Sequence, residues 1–274
     1  MKTYTLALYA TALIAACTSP SEPNAETPNE VSSQFTALND HQHLPAPIAQ
    51  TYTAHAKQLP TGKDLSYQLT LSFRGSERFR GEIRHDPATS RINMTRAADQ
   101  VTLRYDGTDV AVLPDTATWK GARFAVFTWP YFAAAPYKLA DPGTQWSAMT
   151  DYAWEDGLKR PGSKLTFAAG TGDAPDDYYV AFRNDEGLLD GLAYIVTYGK
   201  GAEAQANAEP HAIRYSDYRL VEGVPVAHRW DFYMWDEDAG LGEALGFADL
   251  SEVAWNSRDE SAYATQNGSL VEAP

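Results

Sequence analysis

The chain has 274 residues, of which 44% are hydrophobic and 21% are charged, a composition typical of a folded globular protein. Asp and Glu outnumber Lys and Arg by 36 to 22, and the net charge of −14 disfavours binding to nucleic acid phosphates. The single cysteine excludes an intramolecular disulfide and cysteine-rich zinc or iron–sulfur sites. Composition therefore argues against a nucleic acid-binding protein and a cysteine-rich metal protein, but it does not indicate a function.

The amino terminus is similar to a bacterial lipoprotein signal. An apolar run over residues 3–16 follows Lys2, and its roughly fourteen residues are too few to span ~30 Å of hydrocarbon. The run ends in Ile14-Ala15-Ala16-Cys17, which resembles the lipobox whose cysteine is acylated after cleavage. We therefore predict a lipoprotein signal peptide over residues 1–16 and a lipid on Cys17. Cleavage nearby by a conventional signal peptidase is the alternative.

Such a lipid would anchor the protein to a membrane without spanning it, since each buried CH₂ contributes ~0.8 kcal/mol. Loss of residues 1–16 removes Lys2 and takes the net charge from −14 to −15, so adhesion must come from the acyl chains. Thr18 stands where an aspartate would, by resemblance to the enterobacterial sorting rule, favour the inner membrane. We expect an outer-membrane lipoprotein that faces the periplasm of the bacterial cell envelope.

A polar segment separates this anchor from the folded domain. Residues 18–40 are rich in Ser, Pro, Glu and Asn and contain almost no large apolar side chain before Phe35. Such a segment buries too little surface to offset its ordering entropy. We predict the acylated cysteine and a flexible tether over residues 17–43, followed by one folded domain over residues 44–274.

The folded domain is predicted to begin with a short helix. Apolar residues recur every three or four positions, as on one helical face, at Leu44, Ile48, Tyr52, Ala56 and Leu59. Pro45 and Pro47 suit the first turn of this helix, and Gly62 suits its end.

Alternation of apolar and polar side chains follows, first in residues 65–73, as in a half-buried antiparallel strand. The same pattern returns in residues 79–85, 91–96, 101–105, 108–113, 164–168, 178–183, 188–198, 211–221, 224–235 and 247–255. Turn signals such as Asp106-Gly107 and Glu222-Gly223 separate these runs. The pattern predicts a mainly β (α+β) domain with a single strongly curved antiparallel sheet of about ten or eleven strands joined in sequence.

One apolar segment, residues 121–139, breaks the alternation. It is rich in aromatic residues and contains Pro130 and Pro136, which forbid a long helix or a central strand. We predict short helical turns that pack against the sheet and, with the first helix, close its concave face as a lid. Such closure makes either a solid core or a cavity.

These features together resemble an uncharacterised family of bacterial envelope lipoproteins with the half-barrel fold of the LolA/LolB lipoprotein-localisation group. The resemblance rests on the lipobox, the first helix and a set of later segments: residues 131–132, 136–142, 178–180, 187–190, 213–218 and 222–226. It covers residues 44–255. The resemblance implies a curved sheet around a hydrophobic cavity with helices as its lid, in a group whose members carry acyl chains or other lipophiles. The family has no established activity, and the matching residues are structural, so no catalytic residue is carried over.

Three polar clusters are candidates for metal binding. Residues 40–43 (Asp-His-Gln-His) have the spacing of a metal clip, while Asp173, Asp176 and Asp177, and residues 236–238 (Asp-Glu-Asp), offer oxygen ligands for a hard cation. The histidines lie in the tether, where they lack supporting hydrogen bonds, and neither acidic cluster follows the EF-hand pattern. We interpret all three as solvated loops and expect no metal and no cofactor.

The candidate ligand-binding residues are mostly aromatic. They are numerous enough to line a lipophilic pocket and equally to fill a core: Phe124, Phe127, Trp129, Tyr131, Phe132, Trp230 and Phe232. His228 shares a strand face with Trp230 and Phe232, either as a hydrogen-bonded core histidine or as a group that orients a ligand. The residues alone leave both alternatives open.

Motifs for a nucleophile elbow, a zinc helix, a phosphate loop and a dinucleotide fingerprint are absent from the sequence, so we expect no enzyme. The favoured hypothesis is a membrane-anchored periplasmic lipoprotein that binds or carries a hydrophobic ligand, such as a lipid tail or an acylated partner. The alternative is a noncatalytic envelope module with a filled core that docks a partner protein. A hydrolase with an unrecognised site is the third hypothesis.

Overall fold

The computed structural model describes residues 43–155, 157–174, 176–200 and 204–273. Over these residues the strands form one antiparallel sheet of fourteen strands that does not close on itself. This sheet confirms the predicted mainly β architecture. Residues 1–42, and with them the predicted signal peptide, Cys17 and almost all of the tether, lie outside the described residues.

The strands have the following bounds: β1 (Lys63–Phe73), β2 (Ser76–Asp86), β3 (Arg91–Arg96), β4 (Thr102–Tyr105), β5 (Val110–Leu113), β6 (Thr144–Trp146), β7 (Thr150–Ala153), β8 (Lys159–Phe167), β9 (Tyr179–Arg183), β10 (Leu189–Tyr194), β11 (His211–Val221), β12 (Val224–Asp236), β13 (Gly240–Ser257) and β14 (Ser269–Val271). The helices are α1 (Ala46–Ala56), α2 (Ala122–Ala134) and the single turn α3 (Ala204–Asn207), with 3-10 turns at Ala135–Tyr137 and Glu260–Tyr263. None of the helices in the described ranges is long and apolar enough to cross a membrane.

The sheet consists of two meanders that meet at β1 and β13. Strands β1 to β5 follow one another towards one edge, which β14 completes, and β8 to β13 follow one another towards the edge that carries β6 and β7. The register of β1 on β13 runs from Lys63↔Ser257 to Phe73↔Gly246. The prediction of strands joined in sequence therefore holds within each meander, and the pairing of β1 with β13 joins the two.

Three of the fourteen strands lack a sequence prediction. They are β6, β7 and β14, with three or four residues each. A run this short cannot display a period of two, so alternation does not reveal it. These strands raise the number above the predicted ten or eleven.

Helices α1 and α2 cover one face of the sheet, which we call the helix face. On α1, Ile48 and Tyr52 are buried in the core, which confirms the predicted helix. The helix ends at Ala56, earlier than predicted, because Pro60 disfavours helical backbone just before it. Buried His55 links α1 to β10 by a hydrogen bond, in which its Nε2 accepts the Leu189 amide N–H at 3.0 Å.

The aromatic segment forms α2, one helix of 13 residues that continues through Pro130, so the prediction of separate short turns is wrong. An interior proline costs roughly 3 kcal/mol through its missing N–H, and burial of side chains such as Val126 and Phe132 against the sheet offsets this cost. Pro136 does end the helix. Its missing N–H leaves the Phe132 carbonyl free, and the Tyr215 hydroxyl donates to that carbonyl at 2.9 Å.

The opposite face, which we call the outer face, carries a second aromatic cluster beneath β7. Trp154 is fully buried there and stacks on Phe182 with ring centroids 4.2 Å apart. Its indole N–H donates to Asp190 at 2.9 Å, and the indole N–H of Trp235 donates to a backbone carbonyl of β7 at 3.0 Å. A Cβ at Gly191 would overlap the Trp154 ring, so this strand position requires glycine.

Candidate functional site

A cavity of about 340 Å³ lies on the helix face between α2 and strands β8 to β10. We call it the tyrosine cleft. Its volume falls in the range of small-ligand pockets. Its aromatic lining residues are Tyr105, Phe124, Phe127, Tyr131, Phe132, Phe167, Tyr179, Tyr194 and Tyr198.

Cross-strand pairing builds one wall of the tyrosine cleft. The register places Tyr179 of β9 opposite Tyr194 of β10, and Tyr194 opposite His211 of β11. The first two rings stack with centroids 6.0 Å apart, and the rings of Tyr194 and His211 stack with centroids 5.9 Å apart. Phe167 meets Tyr179 edge to face at 5.9 Å. Because adjacent strands hold these rings in contact, the sheet itself sets the shape of the wall.

A second cavity of about 470 Å³ adjoins the tyrosine cleft along α2. The two cavities share the side chains of Phe124, Thr128, Phe132, Tyr194 and Val196. An elongated ligand that follows α2 out of the tyrosine cleft would therefore enter the second cavity.

Two ion pairs stand at the polar end of the tyrosine cleft. Lys138 pairs with Asp141 and donates to the Ser90 hydroxyl at 3.0 Å. Arg123 pairs with Asp173, and the bond from its Nη2 is 3.0 Å long. Burial raises the pKa of Asp141, and the charge of Lys138 opposes that rise. Each of these two carboxylates thus has its own cation.

A third carboxylate of the cleft, Asp177, has no such partner. Its Oδ1 accepts both the amide N–H of Thr197 at 2.6 Å and the Thr197 hydroxyl at 2.7 Å. Burial raises the pKa of Asp177, while the bonds from Thr197 and the charge of Lys200 lower it. No lysine or arginine within the described ranges forms an ion pair with Asp177, and Oδ2 accepts no hydrogen bond from a described residue.

Three tyrosine hydroxyls in the cleft are also without a partner among the described residues. Tyr131, Tyr179 and Tyr194 line the cavity, yet none of their hydroxyls forms a hydrogen bond with a residue that the structure describes. Tyr179 and Tyr194 are only 9% and 7% exposed. Burial raises the pKa of all three tyrosines, and the negative charge of Asp177, which lines the same cavity, adds to each rise.

The structure brings five of the eight predicted ligand-binding residues to these cavities. Phe124, Phe127, Tyr131 and Phe132 line the tyrosine cleft, while Trp129 lines the second cavity. All five lie on α2, which crosses the helix face beside the free volume.

His228, Trp230 and Phe232 line neither cavity. Trp230 and Phe232 are 1% and 0% exposed, and the Phe232 ring packs on Phe73 with centroids 4.7 Å apart. The Nδ1 of His228 lies 3.0 Å from the Val226 carbonyl, the arrangement of a hydrogen-bonded buried histidine. The Phe232 ring also packs on Trp129 and Phe132 of α2, with centroids 6.4 and 6.1 Å away, so side chains of α2 cover it where a ligand is expected.

The candidate metal clusters are placed as follows. Of the Asp-His-Gln-His segment, only His43 is within the described residues, where it is exposed. Asp173 and Asp177 both line the tyrosine cleft, with the contacts given above. Asp236 accepts the amide N–H groups of Asp238 and Ala239, both at 2.9 Å, as in a turn. The described part of the chain contains no group of three or more His, Cys, Asp or Glu side chains placed to hold a metal ion.

Tyr179 and Tyr194 are residues of the cleft that sequence reasoning does not single out as a site, and Asp177 is singled out there only as part of a candidate metal cluster. A tyrosine at the helix-face position of two successive strands is the signal that could have found them. That signal needs the strand register, which a single sequence does not provide. Once Tyr179 is placed at the cleft, Asp177 is placed near it, because Asp177 lies two residues before Tyr179 in the chain.

No family model matches the sequence, and no curated protein matches it. The structure is similar to a LolA superfamily protein from Nitrosomonas europaea, with a TM-score of 0.51 and 8% identity over 80% of this chain and 96% of that chain. A DUF1329 family protein from Desulfovibrio piger superposes with a TM-score of 0.47 and 12% identity, over 80% of this chain and 96% of that chain. At such identities the similarity concerns the fold alone. The chain therefore has a LolA-like half-barrel fold.

Proposed function

We propose that the protein binds an amphiphilic ligand whose apolar chain lies in the tyrosine cleft beneath α2. The observation that supports this most strongly is the cavity of about 340 Å³, walled by stacked rings and continued by a second cavity of about 470 Å³. Burial of about 200 Å² of hydrocarbon would contribute roughly 5 kcal/mol before the costs of ordering. Because related half-barrels carry acyl chains, a lipid tail or an acylated partner is the class of ligand we propose.

We further propose that the domain is held at the periplasmic face of the outer membrane by acyl chains on Cys17. The lipobox, the absence of another cysteine and Thr18 after it support this. Labelling of cells with radioactive palmitate tests the anchor. The protein should incorporate label and pellet with outer membranes, and Cys17→Ser should abolish both. Labelling of Cys17→Ser to the level of the unchanged protein would refute the anchor.

Ligand binding is tested by native mass spectrometry of the full chain carrying Cys17→Ser, which has no acyl chains of its own. We expect a stoichiometric bound lipid. Thr128 lines both cavities, so Thr128→Trp should fill the space and remove the bound mass. Thr53→Trp, at an exposed position of α1, is the matched control and should keep it. A folded protein with no bound lipid, which also takes up none when incubated with a lipid extract, would refute the proposal.

The described residues give no specific support to the alternative, a module that docks a partner protein. Their exposed large hydrophobic side chains are Leu158, Leu220 and Leu270. These lie before β8, in β11 and in β14, which are separate parts of the sheet. They do not form the contiguous apolar patch that a docking surface requires.

A further inference from the structure

The polar end of the tyrosine cleft has hydrogen-bonding capacity that the protein does not use. The hydroxyls of Tyr131, Tyr179 and Tyr194 and the Oδ2 of Asp177 meet no described partner. These four atoms lie beside one cavity and are not sealed from solvent, so they are free to bond the polar atoms of a ligand. We therefore look for a ligand with polar atoms at this end.

The charges at this end indicate which polar atoms the ligand carries. Asp141 and Asp173 are neutralised by Lys138 and Arg123, which leaves Asp177 as the carboxylate of the cleft that has no ion pair among the described residues. An anionic head group would meet the repulsion of Asp177 and would offer its Oδ2 no hydrogen. A hydroxyl group both donates and accepts, so a head group with several hydroxyls can donate to Asp177 and accept from the tyrosines.

We propose that the tyrosine cleft is specific for amphiphiles with an uncharged, hydroxyl-bearing head group, which Asp177, Tyr131, Tyr179 and Tyr194 hold while the apolar chain extends along α2. The inference rests on the proposed function, because it assigns the head group of the same ligand. It excludes fatty acid anions as preferred ligands.

Titration calorimetry on the full chain carrying Cys17→Ser tests the specificity. Three ligands share a ten-carbon chain and differ in the head: monodecanoylglycerol is neutral with two hydroxyls, decanoate is anionic and decylamine is cationic. We expect the glycerol ester to bind at least about tenfold more tightly than decanoate, which Asp177 repels. It should also bind more tightly than decylamine, because an ammonium group has no atom that accepts from the tyrosine hydroxyls. Equal or tighter binding of either charged ligand would overturn the inference and leave the proposed function intact. Failure of all three to bind would overturn both.

Tyrosine-to-phenylalanine variants test the assigned residues without removing a ring. Because the hydroxyls of Tyr179 and Tyr194 bond to no described residue, Tyr179→Phe and Tyr194→Phe should keep the melting temperature. Each should weaken binding of monodecanoylglycerol by about three- to tenfold and change decanoate binding less than about twofold. The matched control is Tyr178→Phe, whose ring packs on the outer face and should affect neither ligand. Unchanged binding in both cleft variants would overturn the assignment.

The role of charge is tested by Asp177→Asn against Asp176→Asn, an exposed carboxylate in the same loop. Both variants change the net charge equally, so long-range effects cancel in the comparison. Asp177→Asn should reduce the ratio of the affinities for monodecanoylglycerol and decanoate at least about threefold, chiefly because decanoate binds more tightly to the variant. An equal effect of the two variants would overturn the role of Asp177.

Discussion

The two faces of β9 to β12 carry aromatic clusters that differ in how their polar atoms are satisfied. On the outer face, the indole N–H groups of Trp154 and Trp235 both donate to acceptors within the protein. On the helix face, the hydroxyls of Tyr179 and Tyr194 line a cavity and bond to no described residue. Aromatic content is therefore the same signal on both faces, whereas the hydrogen bonding of these polar atoms differs between the two clusters.

The same contrast exists within the helix face. Groups that hold the helices are bonded: Tyr215 to the Phe132 carbonyl and His55 to the Leu189 amide. The hydroxyls of Tyr131, Tyr179 and Tyr194 in the tyrosine cleft bond to no described residue. We expect substitutions of the first kind to change stability and substitutions of the second kind to change binding.

The largest expected effect is at Trp154, which is fully buried in the outer cluster. Trp154→Ala should lower the free energy of unfolding by about 3–5 kcal/mol, since it leaves a cavity and removes the indole hydrogen bond to Asp190. Urea denaturation measures this loss. Under conditions in which Trp154→Ala is folded, its affinity for monodecanoylglycerol should equal that of the unchanged protein. A variant that kept its stability but lost binding would show that the outer face takes part in ligand binding.

The second effect is a pH dependence of stability from the helix face. Burial lowers the pKa of His55 to about 4, and burial with the charge of Lys138 lowers the pKa of His85 to about 3. The unfolded chain takes up protons near pH 6.5 while the folded chain does not, so stability is greatest above pH 6.5. It should fall as pH drops from 6.5 towards 4, by about 3 kcal/mol for His55.

Urea midpoints at several pH values measure this slope. His55→Gln should make it shallower between pH 6.5 and 4, because the substituted side chain does not titrate and only the contribution of His85 remains from this pair. His43→Gln at an exposed position serves as the matched control. A slope that is identical in His55→Gln and in the unchanged protein would contradict the assigned role of His55.

The smallest effect compares two tyrosines of the helix face. Tyr215→Phe removes the donor to the Phe132 carbonyl and should lower the free energy of unfolding by about 1–2 kcal/mol. Tyr194→Phe removes a hydroxyl that has no described partner, so its stability should stay within about 0.5 kcal/mol of the unchanged protein. Equal destabilisation in denaturant titrations of the two variants would show that the Tyr194 hydroxyl has a structural role.

Much of the fold is predictable from local patterns. Alternation in residues 65–73 correctly gives β1, with Leu65, Leu69 and Leu71 buried on the helix face. The expectation that Pro130 interrupts the helix is wrong, because propensity rules do not include the free energy that a packed helix gains from burial. Short strands such as β7 are also not predicted, since three or four residues are too few to show an alternating pattern.

The candidate site is less predictable, for a physical reason. Phe132 and Phe232 look alike in sequence, yet Phe132 lines the tyrosine cleft while Phe232 is enclosed in the core. Which ring meets free volume depends on where α2 crosses the sheet. The stacking of Tyr179 on Tyr194 depends likewise on the register of β9 and β10, which is set by pairing across the chain.

If the cleft beneath α2 holds an apolar chain, anomalous diffraction can locate that chain in a crystal. Crystals grown with monodecanoylglycerol brominated at the end of its chain would locate the bromine atom. With the glycerol at Asp177, we predict the bromine in the second cavity, near Phe124 and Trp129. A bromine peak on the outer face, or no peak in crystals that diffract equally well, would contradict the account.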